Sequence, residues 1–287
     1  MDTTNSKKDD IIQQDLADHQ QPTQQQLPPH QFTLTLIDIL ESLVQAWKKE
    51  LAAINLKSNS LNVEIHLTTF QNYLETRSAE CIVSPANSFG LMDGGLDYYI
   101  SEYYGGVNSL IPVVQSAIQE DWCGEQNVGT CLLVDVDELA QKVKGSVKDR
   151  KNVPRYIAHC PTMRTPKALY GGDDIVYRCT WALLTSIRKH NATLRRPEDR
   201  INNVICAGFG TGVGEFPEEG CVKQMILAIK HFLEAPVNVG RNKSNDKNLG
   251  WGSEWHVMWP YARHIESGVQ HTLLKEEHNR ENDEDID

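Results

Sequence analysis

The chain has 287 residues, 40% hydrophobic and 23% charged, with a formal net charge of −11. No apolar run approaches the roughly 18–20 residues of a membrane helix, the N-terminus lacks the apolar segment of a secretory signal, and the acidic balance argues against general nucleic-acid binding through phosphates. The seven cysteines are odd in number, scattered and without a Cys-x-x-Cys pair, which fits reduced thiols in an intracellular protein, cytoplasmic or nuclear, better than a disulfide frame or a zinc site.

Residues 1–30 are polar, rich in Gln and Pro, and read as a disordered tail. Residues 275–287 carry seven acids and two bases and read as a solvated acidic tail. Between them, residues 31–235 carry the periodicity of one α/β domain and residues 236–274 form a C-terminal extension.

Phe32 to Ile37 reads as a strand. Asp38 to Ile54 follows as a helix, with Leu40, Leu43, Val44, Trp47 and Leu51 at helical spacing. Leu61 to Leu67 alternates as a half-buried strand does. Glu80 to Ser84 contains the short apolar run CIVS and ends at Pro85. After the turn-rich segment from Asn87 to Gly95, helices are expected through Tyr104 and from Val107 to Asp121. Thr130–Val136 and Arg155–His159 read as strands and Asp173–Lys189 as an amphipathic helix. Asn203–Ala207 reads as a strand, followed by a glycine-rich loop and a helix from Pro217 to Leu233. Strands alternating with helices of this length predict a largely parallel or mixed sheet covered on both faces. In such sheets ligands bind beyond the carboxyl ends of the strands, which directs attention to two loops.

The first is Ile82-Val83-Ser84-Pro85-Ala86-Asn87-Ser88-Phe89-Gly90-Leu91-Met92-Asp93-Gly94-Gly95-Leu96-Asp97. A strand delivers Asn87, whose amide suits a ribose hydroxyl or a water. The Gly94–Gly95 pair then opens a helix whose amides favour an anion. Asp97 falls in the first turn of that helix, where a carboxylate can orient water or accept its proton; capping is the structural alternative. The second loop, Ala207 to Pro217, has Gly208, Gly210, Gly212 and Gly214 at alternate positions, a backbone nest suited to phosphates. It fails the register of a G-x-G-x-x-G dinucleotide fingerprint, and no G-x-x-x-x-G-K-[ST] occurs in the chain.

Together the two loops resemble those of the macro domain family, which binds ADP-ribose. The first is similar to the family's S-P-A-N-S-F-G-x-M-D-G-G-x-D variety, and the second, more loosely, to its S-T-G-x-x-x-Y-P segment. Gly129-Thr130 and Tyr156-Ile157-Ala158-His159 resemble strand signatures between them, so the likeness covers about residues 62–234. The resemblance implies a three-layer α/β/α domain with a mixed, largely parallel central sheet. It also implies a site in which Asn87 contacts the distal ribose and Ala86, Asp93, Gly94, Gly95 and Leu96 line the loop around it. Asp97 would activate water, and Gly210, Thr211, Gly212 and Val213 would cradle the diphosphate. Phe216 would stack on the ribose or near the adenine, and His159 is a candidate general acid.

The implied activity is hydrolysis of ADP-ribose 1″-phosphate, a tRNA-splicing by-product, to ADP-ribose and phosphate. Removal of ADP-ribose from protein esters and non-catalytic ADP-ribose binding are the alternatives. None of these residues requires a metal or a cofactor. The sequence departs from the family pattern in three places. His66-Leu67-Thr68-Thr69 replaces the G-D-I-T segment whose Asp meets the adenine. Gly214 stands where many members carry an aromatic. Ser84 and Pro85 replace N-A, and Asp93 replaces a glycine, setting two carboxylates four residues apart, an arrangement that raises one pKa.

Trp251, Trp255 and Trp259 recur at a four-residue interval and read as packing of the extension on the core, in preference to a lid. His256, His264, His271 and His278 are spaced too widely for an i, i+4 metal pair.

Overall fold

Strand β1 (Phe32–Asp38) is buried along both of its faces, the signature of a central strand in a parallel sheet with helices above and below. In the computed structural model, which describes residues 31–54, 60–146, 150–170, 173–194, 196–234 and 262–273, β1 is followed by helix α1 (Glu41–Ala52) and strand β2 (Leu61–Leu67). Next come α2 (Phe70–Thr76), β3 (Cys81–Ser84), α3 (Gly95–Tyr103), α4 (Val107–Trp122) and β4 (Leu132–Asp135). Helix α5 (Asp137–Ser146), β5 (Tyr156–His159), α6 (Ile175–Thr193), β6 (Asn203–Cys206) and α7 (Glu218–Glu234) complete the domain, and residues 262–273 form a further helix. None of the described helices is long and apolar enough to cross a membrane.

The six strands lie in the order β2-β1-β6-β3-β5-β4. All pairings are parallel except that of β4 with β5 at the edge. The expected three-layer α/β/α arrangement with a mixed, largely parallel sheet is therefore observed. Alternation along the strands divides the core in two. Leu34, Leu36, Val83, Ala158 and Val204 face one layer with α1, α6 and α7, while Ile37, Ile82, Ile157 and Ile205 face the other with α2 to α5. Trp47, Leu183, Met225 and Phe232 anchor the first layer, and Tyr104, Leu110, Val114 and Ile118 the second. All seven cysteines are free thiols, five of them fully buried.

Two helices in the structure have no counterpart among the sequence expectations. Helix α2 has only seven residues and is started by Thr69, whose hydroxyl accepts from the Asn72 amide at 3.2 Å. Helix α5 buries only Ala140 and Val143, too narrow a stripe to stand out against its charged face.

Register places the carboxyl ends of the parallel strands along one edge: Asp38 lies beside Leu67, Leu36 beside Cys206, and Ser84 beside His159. The segments that leave β1, β2, β3, β5 and β6 therefore converge there. Trp251, Trp255, Trp259, His256 and His278 lie outside the described residues, as do both tails.

Candidate functional site

A cleft of about 710 Å³ opens at that edge and draws its lining from all five segments, within the range of small-molecule sites. From the segment after β3 it takes Ala86, Asn87, Asp93, Gly94, Gly95, Leu96 and Asp97, and from the segment after β6 it takes Gly210, Thr211, Gly212 and Val213. The two glycine loops, about 110 residues apart in sequence, thus form facing walls. A Cβ on Gly95 would stand 3.5 Å from Val213 Cγ2.

Asp97 is the buried acid of the cleft, with 6% of its surface exposed. Its Oδ1 accepts from the Ser84 hydroxyl at 2.7 Å. Burial raises its pKa to about 7, against the lowering effect of the Ser84 hydrogen bond, and Asp93 adds a smaller upward push. The carboxyl is therefore divided between its two protonation states near neutral pH, the condition for moving a proton in either direction. Pairing with Asp93 alone would not achieve this; desolvation dominates.

The glycine loops supply amides. Helix α3 begins at Gly95 with Gly94 as its cap residue and no side-chain cap, so its first-turn amides face the cleft end without a protein acceptor from a cap. In the second loop Phe216 donates to Gly210 O at 3.0 Å and Glu215 to Gly212 O at 2.9 Å, which folds the loop on itself. Among the described residues the amides of Gly210 through Gly214 donate to no backbone carbonyl. Gly210 has φ 76°, and a Cβ on Gly214 would lie 2.6 Å from Gly210 O. Only glycine permits this closure. The result is a concave set of N–H groups of the kind that binds phosphate oxygens. No Lys or Arg is among the described lining residues, so the groups there that can attract an anion are backbone amides.

Asn87 lines the cleft but is occupied by its own loop. Its Oδ1 accepts from Phe89 N at 3.1 Å and Leu91 N at 3.4 Å, and its Nδ2 donates to Leu91 O at 3.2 Å. One amide hydrogen is left for a ligand. This shows the side chain shaping the loop as well as facing the cleft.

Two expectations are corrected. His159 does not line the cleft. It is fully buried beneath it, with Nδ1 and Gln126 Oε1 2.6 Å apart, and desolvation lowers its pKa to about 4. A histidine so buried is neutral at physiological pH and has no imidazolium proton to give. Phe216 is likewise absent from the lining: it is 2% exposed and packs in the first core layer against Gly210. The strand-end position of one and the loop position of the other gave no indication of which way each faces.

Two site residues were not anticipated, one of which, Ser84, stands outside the cleft lining. Ser84, which departs from the family pattern, holds Asp97. Asp38, at the end of β1, is the carboxylate at the cleft end formed by Ile37 to Leu40 and Thr68 to Gln71. Its Oδ1 accepts from Leu40 N at 3.0 Å, while Oδ2 makes no hydrogen bond among the described residues. Ile39, Leu40, Leu91, Tyr99 and Val213 are all exposed apolar side chains on the cleft, the kind of lining that suits a flat ring.

The architecture and cleft define an α/β protein with a glycine-lined pocket at the carboxyl edge of its largely parallel sheet. A family model for the macro-like domain matches residues 23–242, and the chain belongs to that family. An uncharacterized protein of Aquifex aeolicus (strain VF5) is 30% identical over 154 residues, covering 54% of this chain and 74% of that one. An Oceanobacillus iheyensis macrodomain mutant aligns at 16% identity with a TM-score of 0.40, covering 56% of this chain and 70% of that chain. A second mutant of the same macrodomain, with ADPR, aligns at 15% identity and a TM-score of 0.40, covering 56% and 74%.

Proposed function

We propose that the cleft binds ADP-ribose and its 1″-derivatives and hydrolyses ADP-ribose 1″-phosphate to ADP-ribose and phosphate. The observation that carries this reading is the buried Asp97 carboxyl on the floor between two amide-rich loops. Membership of the macro-like domain family supports the ligand class. The amides of Gly210 to Gly214 hold the diphosphate, and the α3 N-terminus meets the terminal phosphate.

In the reaction Asp97 takes a proton from a water whose oxygen attacks phosphorus. The bond from phosphorus to the 1″ oxygen breaks, and the protonated Asp97 returns its proton to that oxygen as it leaves. Water is consumed, ADP-ribose and inorganic phosphate are formed, and the carboxylate is regenerated. His159 takes no part, because it is neutral and sits outside the cleft.

A second reading is favoured by one observation: no cation among the described residues lines the cleft beside Asp97. A phosphomonoester dianion there is opposed by a carboxylate, whereas an uncharged ester on the 1″ oxygen is not. Hydrolysis of an ADP-ribosyl ester on a protein side chain uses the same groups, with acyl carbon in place of phosphorus.

The test is phosphate release from ADP-ribose 1″-phosphate by the full chain and by Asp97→Asn. Release by the parent that is lost in the variant supports the phosphatase reading. Release of ADP-ribose from esterified protein with no action on the phosphate moves the assignment to the ester. Failure to bind ADP-ribose at millimolar concentration overturns both.

A further inference from the structure

About 20 Å along α7 from the cleft, at the 1.5 Å rise per residue of an α-helix, lies a second group of chemically capable side chains. His231 and Glu234 stand three residues apart at the end of α7, and His264 approaches them from the 262–273 helix. One ligand-capable atom from each lies within 4.8 Å of those of the other two. We propose that His231, Glu234 and His264 form a site for a divalent transition ion, with zinc the best match to the donor set, that clips the C-terminal helix to α7.

The distances fit. Two ligands at the usual zinc separations of about 2.0–2.1 Å in tetrahedral geometry stand roughly 3.3 Å apart. Glu234 Oε2 and His264 Nε2 are 3.2 Å apart, so that edge of the tetrahedron already exists. Moving the third ligand in from the observed spacing is a side-chain adjustment, because Glu234 and His264 are exposed. Three protein ligands leave one position for water.

The surroundings match those of a ligand histidine. His231 is 1% exposed, and the Tyr177 hydroxyl lies 3.1 Å from its Nδ1. A second-sphere hydroxyl of this kind fixes the orientation of a ligand ring. The opposing helix presents Gly268 here: a Cβ at that position would lie 3.0 Å from His231 Cε1 and 3.2 Å from Nε2. Glycine thus lets the 262–273 helix approach the ring closely.

The clip has a structural purpose. The apolar contact that docks the 262–273 helix is small: Val269 buries against Tyr177 and Ala228, with Ile265, Leu273, Leu227 and Trp181 only partly covered. An ion that binds only the docked state adds stability by mass action. The donors come from two helices and lie 30 and 33 residues apart in the chain, which is why histidine spacing along the sequence alone did not reveal them.

The test uses tag-free, full-length protein stripped with a chelator. Titration with zinc chloride by calorimetry is expected to show one ion per chain and increased hydrogen-exchange protection in residues 262–273. Cobalt chloride is expected to give the visible absorption of a tetrahedral site. His264→Ala and Glu234→Gln alter exposed side chains, keep the far-ultraviolet spectrum of the parent and abolish the cobalt signal. Tyr177→Phe keeps the ligands but weakens zinc binding by about 10–100-fold. Zinc binding that is unchanged in His264→Ala places the ion elsewhere, for example on the exposed Cys123, and overturns the proposal. So does the absence of saturable binding below millimolar zinc.

Discussion

The Ser84 hydroxyl donates to Asp97 Oδ1 at 2.7 Å, so the last residue of β3 holds the carboxyl that the first turn of α3 delivers. Both side chains are buried. Of the three influences on Asp97, burial and Asp93 raise its pKa and Ser84 alone lowers it. Ser84→Ala therefore moves the pKa above its present value of about 7. The acid limb of the kcat/KM profile shifts to higher pH, and activity falls most below neutrality. A profile that keeps its limb while losing amplitude uniformly would show that Ser84 positions substrate instead.

Asp97→Asn separates chemistry from stability. Loss of a general base lowers turnover by roughly 10²–10⁴-fold, while ADP-ribose affinity measured by calorimetry stays close to that of the parent. Stability changes in the opposite direction. The folded-state pKa of about 7 exceeds the ordinary aspartate value of 3.8. Between those values the native state holds a proton that the unfolded chain has released, so stability falls as pH rises through the window. At about 1.4 kcal/mol per pKa unit, the loss is at most on the order of 4 kcal/mol above pH 7. Asparagine removes this term: Asp97→Asn raises the melting temperature at pH 8 and has little effect near pH 4. A variant less stable than the parent at pH 8 would contradict the burial account.

The order of elements was readable because strands such as FTLTLID and CIVS, buried on both faces, are apolar runs bounded by turn residues. Helix α2 escaped because its seven residues are shorter than any periodicity can establish, and α5 because it buries two side chains. In the site, the glycine loops were readable because alternating glycines carry their own conformational meaning. Side-chain direction at strand ends was not. His159 and Ser84 are register partners on neighbouring strands, yet only Ser84 reaches the site carboxyl. Asp38 was hidden for a different reason: it sits on β1, beside the β2 segment where a family carboxylate was expected and not found. Parallel pairing brings Asp38 next to Leu67, a neighbour relation that only the folded sheet supplies.

That placement gives Asp38 a specific expected role. Its Oδ2 can accept from the exocyclic amino group of an adenine lying on the apolar surface around Ile39 and Leu40. Asp38→Ala removes a charge-assisted hydrogen bond worth about 1.5–3 kcal/mol, a loss of roughly 10–100-fold in ADP-ribose affinity. The hypoxanthine analogue lacks that donor, so its affinity is expected to be the same for parent and variant. Equal losses for both nucleotides would place the base elsewhere.

The glycine loop offers a paired comparison. A Cβ on Gly212 meets nothing within 4 Å, whereas one on Gly214 meets Gly210 O at 2.6 Å and Leu169 Cδ1 at 2.9 Å. Leu169 N also donates to Gly214 O at 2.7 Å, so the segment after β5 is tied to the same turn. Gly214→Ala must displace backbone and is expected to weaken ADP-ribose binding by at least about tenfold, equivalent to 1.4 kcal/mol. Gly212→Ala leaves binding within a few-fold of the parent. Similar losses in both would mean that the loop responds to any added side chain, and the nest geometry would not be the source of affinity.

His159→Gln distinguishes a structural histidine from a catalytic one. The ring contacts Gln126 and lies outside the cleft, so turnover of ADP-ribose 1″-phosphate is expected to stay within a few-fold of the parent. Stability is expected to fall by about 1–3 kcal/mol at pH 8, because the buried Gln126 amide loses a well-placed partner. At lower pH the difference narrows. The folded-state pKa of about 4 lies below the ordinary histidine value of 6.5, so the parent loses stability as pH falls from 6.5 toward 4, when the unfolded chain takes up a proton that the native state refuses. Glutamine has no such term. Chemical denaturation of both proteins at pH 8 and pH 5 measures the narrowing, and a selective loss of turnover without loss of stability would return His159 to the catalytic site.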